Sequence, residues 1–260
     1  MAQPRRIELH GRPVGSGAYP SIITPLVGRD AAALRAELAA IVPKRPDILE
    51  WRIDHFDGLG DLGATLTMAR ELKAAADGLP LLLTRRSVAE GGQAIELAES
   101  EVVALYARLC EERCVDLIDY ELAQAREHVE HLRTVSARCG VALILSFHDF
   151  RGTPGADEIV ARFARAEQLG ADIAKVAVMP AHALDVLALL GATQRASQAA
   201  RIPLIGIAMG GQGVASRVLG WQFGSAATFA VGMGSSAPGQ LGIDELRAAL
   251  AIVQRAAATR

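Results

Sequence analysis

Lys175 stands in the stretch GADIAKVAVMP (170–180), with Ile173 and Ala174 before it and Val176, Ala177 and Val178 after it. An ammonium among such neighbours has two readings. Its four-carbon stem can snorkel to solvent at a strand end, or the surroundings can shield an amine that attacks a carbonyl as a nucleophile. The residues at comparable positions bear on the choice. In SFHDF (146–150), His148 offers an imidazole, which titrates near neutral pH and suits proton transfer, although a structural histidine is the simpler alternative. Strand alternation turns Asp149 away from His148, so Glu90, in RSVAEGG (86–92), is the better candidate to orient the ring.

Charged side chains recur at the ends of other strand-like runs. In DILEWRID (47–54), period-two alternation sets Glu50, Arg52 and Asp54 on one face and Leu49, Trp51 and Ile53 on the other. Thr84 and Arg86 share a face of the next run, Asp119 and Glu121 of the one after, and Ser146 and His148 of the fifth. Such a ring is expensive to shield unless its members neutralise one another or meet a polar ligand. Rim salt bridges account for two or three members, not for the set.

Two glycine-rich stretches, IAMGGQGVASR (207–217) and VGMGSSAPGQ (231–240), let backbone N–H groups approach a ligand. Arg217 adds a planar fork of donors that fits a carboxylate or a phosphate, and the glycines do not choose between them. Neither stretch is a Walker motif or a GxGxxG turn after a strand. The six histidines form no HExxH element, and His128 and His131, in the charge-rich AREHVEHLR, read as solvated helix surface. A metal held by His148 with Glu50 or Asp119 is the competing use of these residues. Lys175 argues against it, since a neighbouring cation competes with the metal and amine chemistry needs none.

These groups need a scaffold that brings strand ends together. Strand-like runs at 21–27, 47–54, 79–86, 114–122, 141–150, 172–180, 203–210 and 225–232 each precede a helical pattern, for example 30–42, 61–76, 93–112 and 243–257. Eight strand-helix units in this length match a (β/α)8 TIM barrel, an α/β fold whose site lies at the C-terminal ends of the strands. A doubly wound sheet also alternates, but it usually needs fewer strands. Residues 5–16 suit a short N-terminal hairpin, and with no long linker residues 1–260 read as a single domain.

Composition narrows the class. The 260 residues are 51% hydrophobic and only 4% aromatic, enough for an aliphatic core, and the formal net charge of −2 argues against nucleic-acid or anionic-membrane partners. Three cysteines without a CxxC unit fit a reducing cytoplasm, and neither a secretory signal nor an 18-residue apolar run is present. A cytoplasmic protein that binds a small molecule is expected.

Taken together, SIITPLVGR, DILEWRIDHF, RSVAEGG, SFHDF, GADIAKVAVMP, MGGQGVASR, FGSAATF and SSAPGQ, in this order at strand ends, resemble type I 3-dehydroquinate dehydratase over about 220 residues. The resemblance implies a homodimeric lyase of the shikimate pathway that dehydrates 3-dehydroquinate by syn elimination through a lysine imine, with no metal or organic cofactor. It implies that Lys175 forms the imine, His148 transfers protons, Glu90 supports His148 and Arg217 holds the substrate carboxylate. Glu50, Arg52, Arg86, Ser236 and Gln240 then bind or shape the hydroxylated ring, with Met209 near it. Pro25 departs from the serine found in some members. Two rivals stand beside this reading: a class I aldolase-like barrel lyase, which shares the lysine but cleaves a carbon–carbon bond, and a non-catalytic barrel that binds a small acid.

Overall fold

The strand runs are short, rich in branched aliphatics and buried on both faces, the pattern of a parallel sheet covered by helices. The computed structural model describes residues 7–15 and 19–258. Eight strands run parallel in sequence order: β3 (Ser21–Leu26), β4 (Ile48–Arg52), β5 (Leu81–Thr84), β6 (Leu117–Glu121), β7 (Ala142–Asp149), β8 (Ile173–Val178), β9 (Leu204–Ala208) and β10 (Ala227–Val231). β10 pairs with β3, and a parallel bridge between Leu204 and Ser225 joins β9 to the start of β10. The (β/α)8 barrel expected from the sequence is therefore the fold.

The lower rim repeats one device. Asp47, just before β4, accepts the N–H of Ile22 on β3 at 2.8 Å. Asp116 before β6 does the same for Leu81 on β5 (2.8 Å), and Asp172 before β8 for Leu143 on β7 (2.9 Å). At the remaining pair Ser225 Oγ takes the N–H of Gly206 at 3.1 Å, so a side chain completes the ladder at the seam. An acceptor ahead of every second barrel strand thus satisfies a backbone donor that the neighbouring ladder leaves over.

The alternation of each strand sorts the core into two layers. Ile23, Ile48, Leu82, Leu117, Ile144, Ile173 and Ile205 fill the barrel, while Leu49, Trp51, Leu83, Leu143 and Leu145 pack outward with helix residues such as Leu34, Leu72 and Leu132. The hairpin strands β1 (Ile7–Leu9) and β2 (Arg12–Val14) place Ile7, Leu9 and Val14 in the inner layer and so close its base. The hairpin expected over 5–16 is present where it is described; Arg5, Arg6 and Ser16 lie outside the described residues. Pro25, second from the end of β3, lies opposite Glu50.

The helices follow as expected, with α1 (Ala31–Ile41) capped by Asp30, whose Oδ1 accepts the N–H of Ala33 at 2.8 Å. Two differ in extent. α3 (Glu99–Glu111) begins later than the expected 93, because residues 93–98 are held as a loop: the N–H of Gln93 goes to Asp54 and that of Ala98 to Glu101. The seventh helix, α7 (Val214–Leu219), is six residues long and lies between two 3-10 turns, Gly211–Gly213 and Gly220–Phe223. Among the described residues no helix is long and apolar enough to cross a membrane.

Candidate active site

Lys175 lies in the middle of β8, opposite Ser146 of β7, with its side chain only 6% exposed. It does not snorkel to the outer surface. Nζ donates to Asp119 Oδ2 at 3.1 Å and lies 4.6 Å from the centroid of the Phe229 ring, so it is placed from two sides. Asp119 itself is fully buried; its other oxygen accepts from Arg86 Nη2 (2.7 Å) and Ser146 Oγ (2.6 Å). Burial opposes its charge, but Arg86 and then Lys175 outweigh that and keep its carboxyl below the usual range.

His148 sits two positions further along β7, on the same face as Ser146. The Glu90 carboxyl, in the turn Val88–Glu90 after β5, approaches its Nδ1 at 2.9 Å and also accepts its backbone N–H at 3.0 Å, both through Oε2. With Oε2 facing two N–H groups, the arrangement fits the tautomer that leaves Nε2 as the basic atom. Burial, and then Arg86, Lys175 and Arg52, hold His148 well below its ordinary value, so the imidazole is neutral at neutral pH. Asp149 takes no part, since its Oδ1 accepts the N–H groups of Arg151 and Gly152.

Five buried carboxyl groups surround the mouth, Glu50, Asp54, Glu90, Asp119 and Glu121, against four buried cations, Arg52, Arg86, Lys175 and Arg217. One acid is in surplus. Glu90 is the one displaced: burial, reinforced by Glu121 and Asp119 against the pull of Arg86, pushes it up to about 8. Arg86 is the hub of this set, donating to Asp119, Ser146, Glu121 (3.3 Å) and Glu90 (3.4 Å). With its terminal nitrogens so engaged, it shapes the cleft by holding acids in place.

Arg217, in α7, is the opposite case. It is 1% exposed, and among the described residues no carboxylate lies within ion-pair distance and the one hydrogen bond of its side chain runs from Nη2 to the Pro238 carbonyl at 3.0 Å. Its Nε has no partner, and burial alone lowers the guanidinium to about 10. A buried guanidinium in that state is a site for an anion.

The loop after β10 covers the mouth. Gln240 Nε2 donates to Ser236 Oγ at 3.2 Å, and Arg52 Nη1 reaches the Ser236 carbonyl at 3.3 Å. Gly239, at φ +75°, lies so close to Gly210 that a Cβ there would fall 2.2 Å from the Gly210 carbonyl oxygen, so only glycine lets the two loops meet. Glu50 accepts from Thr84 Oγ1 at 2.9 Å, and Met209 is 1% exposed beside Ile207 and Phe229. All ten residues expected at the site, namely Lys175, His148, Glu90, Glu50, Arg52, Arg86, Met209, Arg217, Ser236 and Gln240, line one cleft. Asp119 was visible in the sequence as a face-sharing acid, but its contact with Lys175 crosses from β6 to β8 and no spacing reveals it. Among the described residues no three His, Cys, Asp or Glu side chains converge as metal ligands.

Fold and cleft define a (β/α)8 barrel with a shielded lysine, a neutral imidazole on a carboxyl group and an unpaired arginine. Residues 22–257 match the family model of type I 3-dehydroquinase, and the chain belongs to that family. It is 50% identical over 256 residues to a 3-dehydroquinate dehydratase of Albidiferax ferrireducens, covering 98% of this chain and 97% of the relative. A crystal structure of the 3-dehydroquinate dehydratase from Geobacillus kaustophilus superposes with a TM-score of 0.95 at 44% identity, covering 99% of both chains. The type I enzyme from Clostridium difficile, solved with covalently modified comenic acid, gives 0.94 at 35% identity, covering 98% of this chain and all of that one.

Proposed function

We propose that the cleft dehydrates 3-dehydroquinate to 3-dehydroshikimate through an imine on Lys175. The observation that carries this is the meeting of Lys175, the His148–Glu90 pair and the carboxylate-free Arg217 in one cleft. Arg217 takes the C1 carboxylate, which sets the ring relative to β8 and supplies the anion that the guanidinium lacks. Lys175 first passes a proton to His148, the free amine adds to the C3 ketone, and His148 returns that proton to the carbinolamine hydroxyl, which leaves as water to give an iminium.

Neutral His148 then removes a C2 proton, and the electrons of that C–H bond move into the enamine. The enamine expels the C1 hydroxyl, which leaves as water with the proton now on His148. Because one imidazole takes and returns the proton, both events fall on one face of the ring, a syn elimination. A final water hydrolyses the imine and frees the lysine, so the net loss is one water. Glu90 stabilises the imidazolium that forms midway. Glu50, Arg52, Ser236 and Gln240 bind the ring hydroxyls, Arg86 shapes their surroundings and Met209 lies against the ring.

The same reading makes the chain a cytoplasmic homodimer of single-domain protomers, 1–260, working without a metal or organic cofactor. Sedimentation at micromolar concentration tests the dimer. Borohydride reduction with 3-dehydroquinate tests the chemistry: the mass of the reduced adduct should map to Lys175 and vanish in Lys175→Ala. Attachment elsewhere, or turnover by Lys175→Ala near the native rate, rejects the imine. Activity lost on chelation and restored by added zinc or magnesium would favour the metal reading.

A further inference from the structure

Asp54 belongs to no step described so far, yet its carboxylate is fully shielded and bound on every side. It lies in the 3-10 turn Ile53–His55 that follows β4. Oδ1 accepts from Arg52 Nε (2.8 Å) and from the backbone N–H of Arg86 (3.3 Å). Oδ2 accepts from Arg52 Nη2 (2.8 Å) and from the backbone N–H of Gln93 (3.0 Å). The two backbone donors, Arg86 and Gln93, are the two ends of the segment that carries Glu90. Between them the segment folds back on itself, Gly92 N–H meeting the Ser87 carbonyl at 2.8 Å, and a Cβ at Gly92 would fall 1.9 Å from the Arg86 carbonyl oxygen.

From this geometry we infer that Asp54 is a positioning residue, which pins both ends of the loop that holds Glu90 against His148 and at the same time aims Arg52 into the cleft. Its burial would disfavour the charge, but the paired bonds from Arg52 outweigh that and hold the carboxyl in its ionised form. One carboxylate thereby joins two functions. Through Arg52, whose Nη1 donates to the Ser236 carbonyl, it bears on ring binding. Through Arg86 and Gln93 it bears on proton transfer, since a displacement of about 1 Å in a reacting group is enough to slow catalysis by roughly 100-fold.

The inference rests on the role proposed for Glu90, and the experiment separates the two. Asp54→Asn keeps the shape but turns an amide nitrogen toward donors. It should raise KM through Arg52 and lower kcat by roughly 10- to 100-fold. In a Glu90→Gln background the same change should still raise KM but lower kcat by less than about threefold, because the group it positions is already gone. Losses of kcat that multiply in the double variant overturn the inference, as does Asp54→Asn with kcat within twofold of native. A native kcat for Glu90→Gln alone overturns the role of Glu90 and this inference with it. Amide exchange in the unaltered protein needs no variant: the N–H groups of Arg86 and Gln93 should be protected, and exchange at the rate of an unstructured chain would overturn the clamp.

Discussion

At His148 two features of one side chain act in opposite senses. Burial and three cations keep the ring unprotonated, which makes it a base, whereas the contact with Glu90 favours the imidazolium once a proton arrives. His148→Ala should therefore still form a reducible imine while kcat falls by about 10²- to 10⁴-fold, as single-turnover trapping beside product absorbance would show. Glu90 gives a second handle, through stability. Its folded value, about 8, lies above the ordinary 4.5, so the folded protein holds a proton that the unfolded chain releases between those pH values. That stabilisation is complete below pH 4.5 and is lost as pH rises through 8; it amounts to a few kcal/mol at most, on the order set by linkage. Between pH 5 and 8 native protein should lose more stability than Glu90→Gln in urea titrations at each pH. Arg217→Met should raise KM by roughly 10- to 100-fold, the worth of a charge-assisted pair, with a smaller fall in kcat from looser orientation. The identities of these residues were legible because strand alternation put them on one face. Their pairings were legible only in part: Glu90 with His148 followed from excluding Asp149, but the saturation of Arg86 by three acids depends on distances across strands.

Among the elements, strands were easier to locate than the segments between them. Each strand run was bounded correctly to within about three residues, because a buried parallel strand is a continuous apolar run with turn residues at its ends. The misplaced start of α3 has a tertiary cause, since Asp54, 39 residues upstream, takes the N–H of Gln93 and holds what would have been its first turn outside the helix. The acceptors ahead of every second strand were present in the sequence as PDILEW, VDLIDYE and ADIAKVA, but an aspartate before a strand becomes a signal only once its neighbour is known. Removing one leaves a backbone donor unsatisfied. Asp116→Ala should cost about 1–3 kcal/mol in chemical denaturation, and kcat should stay unchanged because the residue lies at the other end of the strand from the cleft. Asp116 also meets His10 and Lys73, so its loss should loosen the attachment of the hairpin as well.

Over the whole molecule, the eightfold rhythm of strand and helix determined the architecture, because counting units of this length leaves few ways to cover both faces of a parallel sheet. The hairpin was visible as glycine-broken segments, but its role as the floor of the barrel was not, since nothing local says that Ile7, Leu9 and Val14 join Ile48, Leu117 and Ile173 in one layer. Leu9→Ala should lower stability by about 2 kcal/mol or more, measured by thermal or urea unfolding, while KM stays at its native value. The lower rim, with its aspartates and its plug, and the upper rim, with its amine and imidazole, are separate workshops on the same eight posts. Thermal hardening can therefore be engineered from beneath, by better caps or a tighter floor, without retuning turnover, an independence that a protein with its reactive groups scattered through its core would lack.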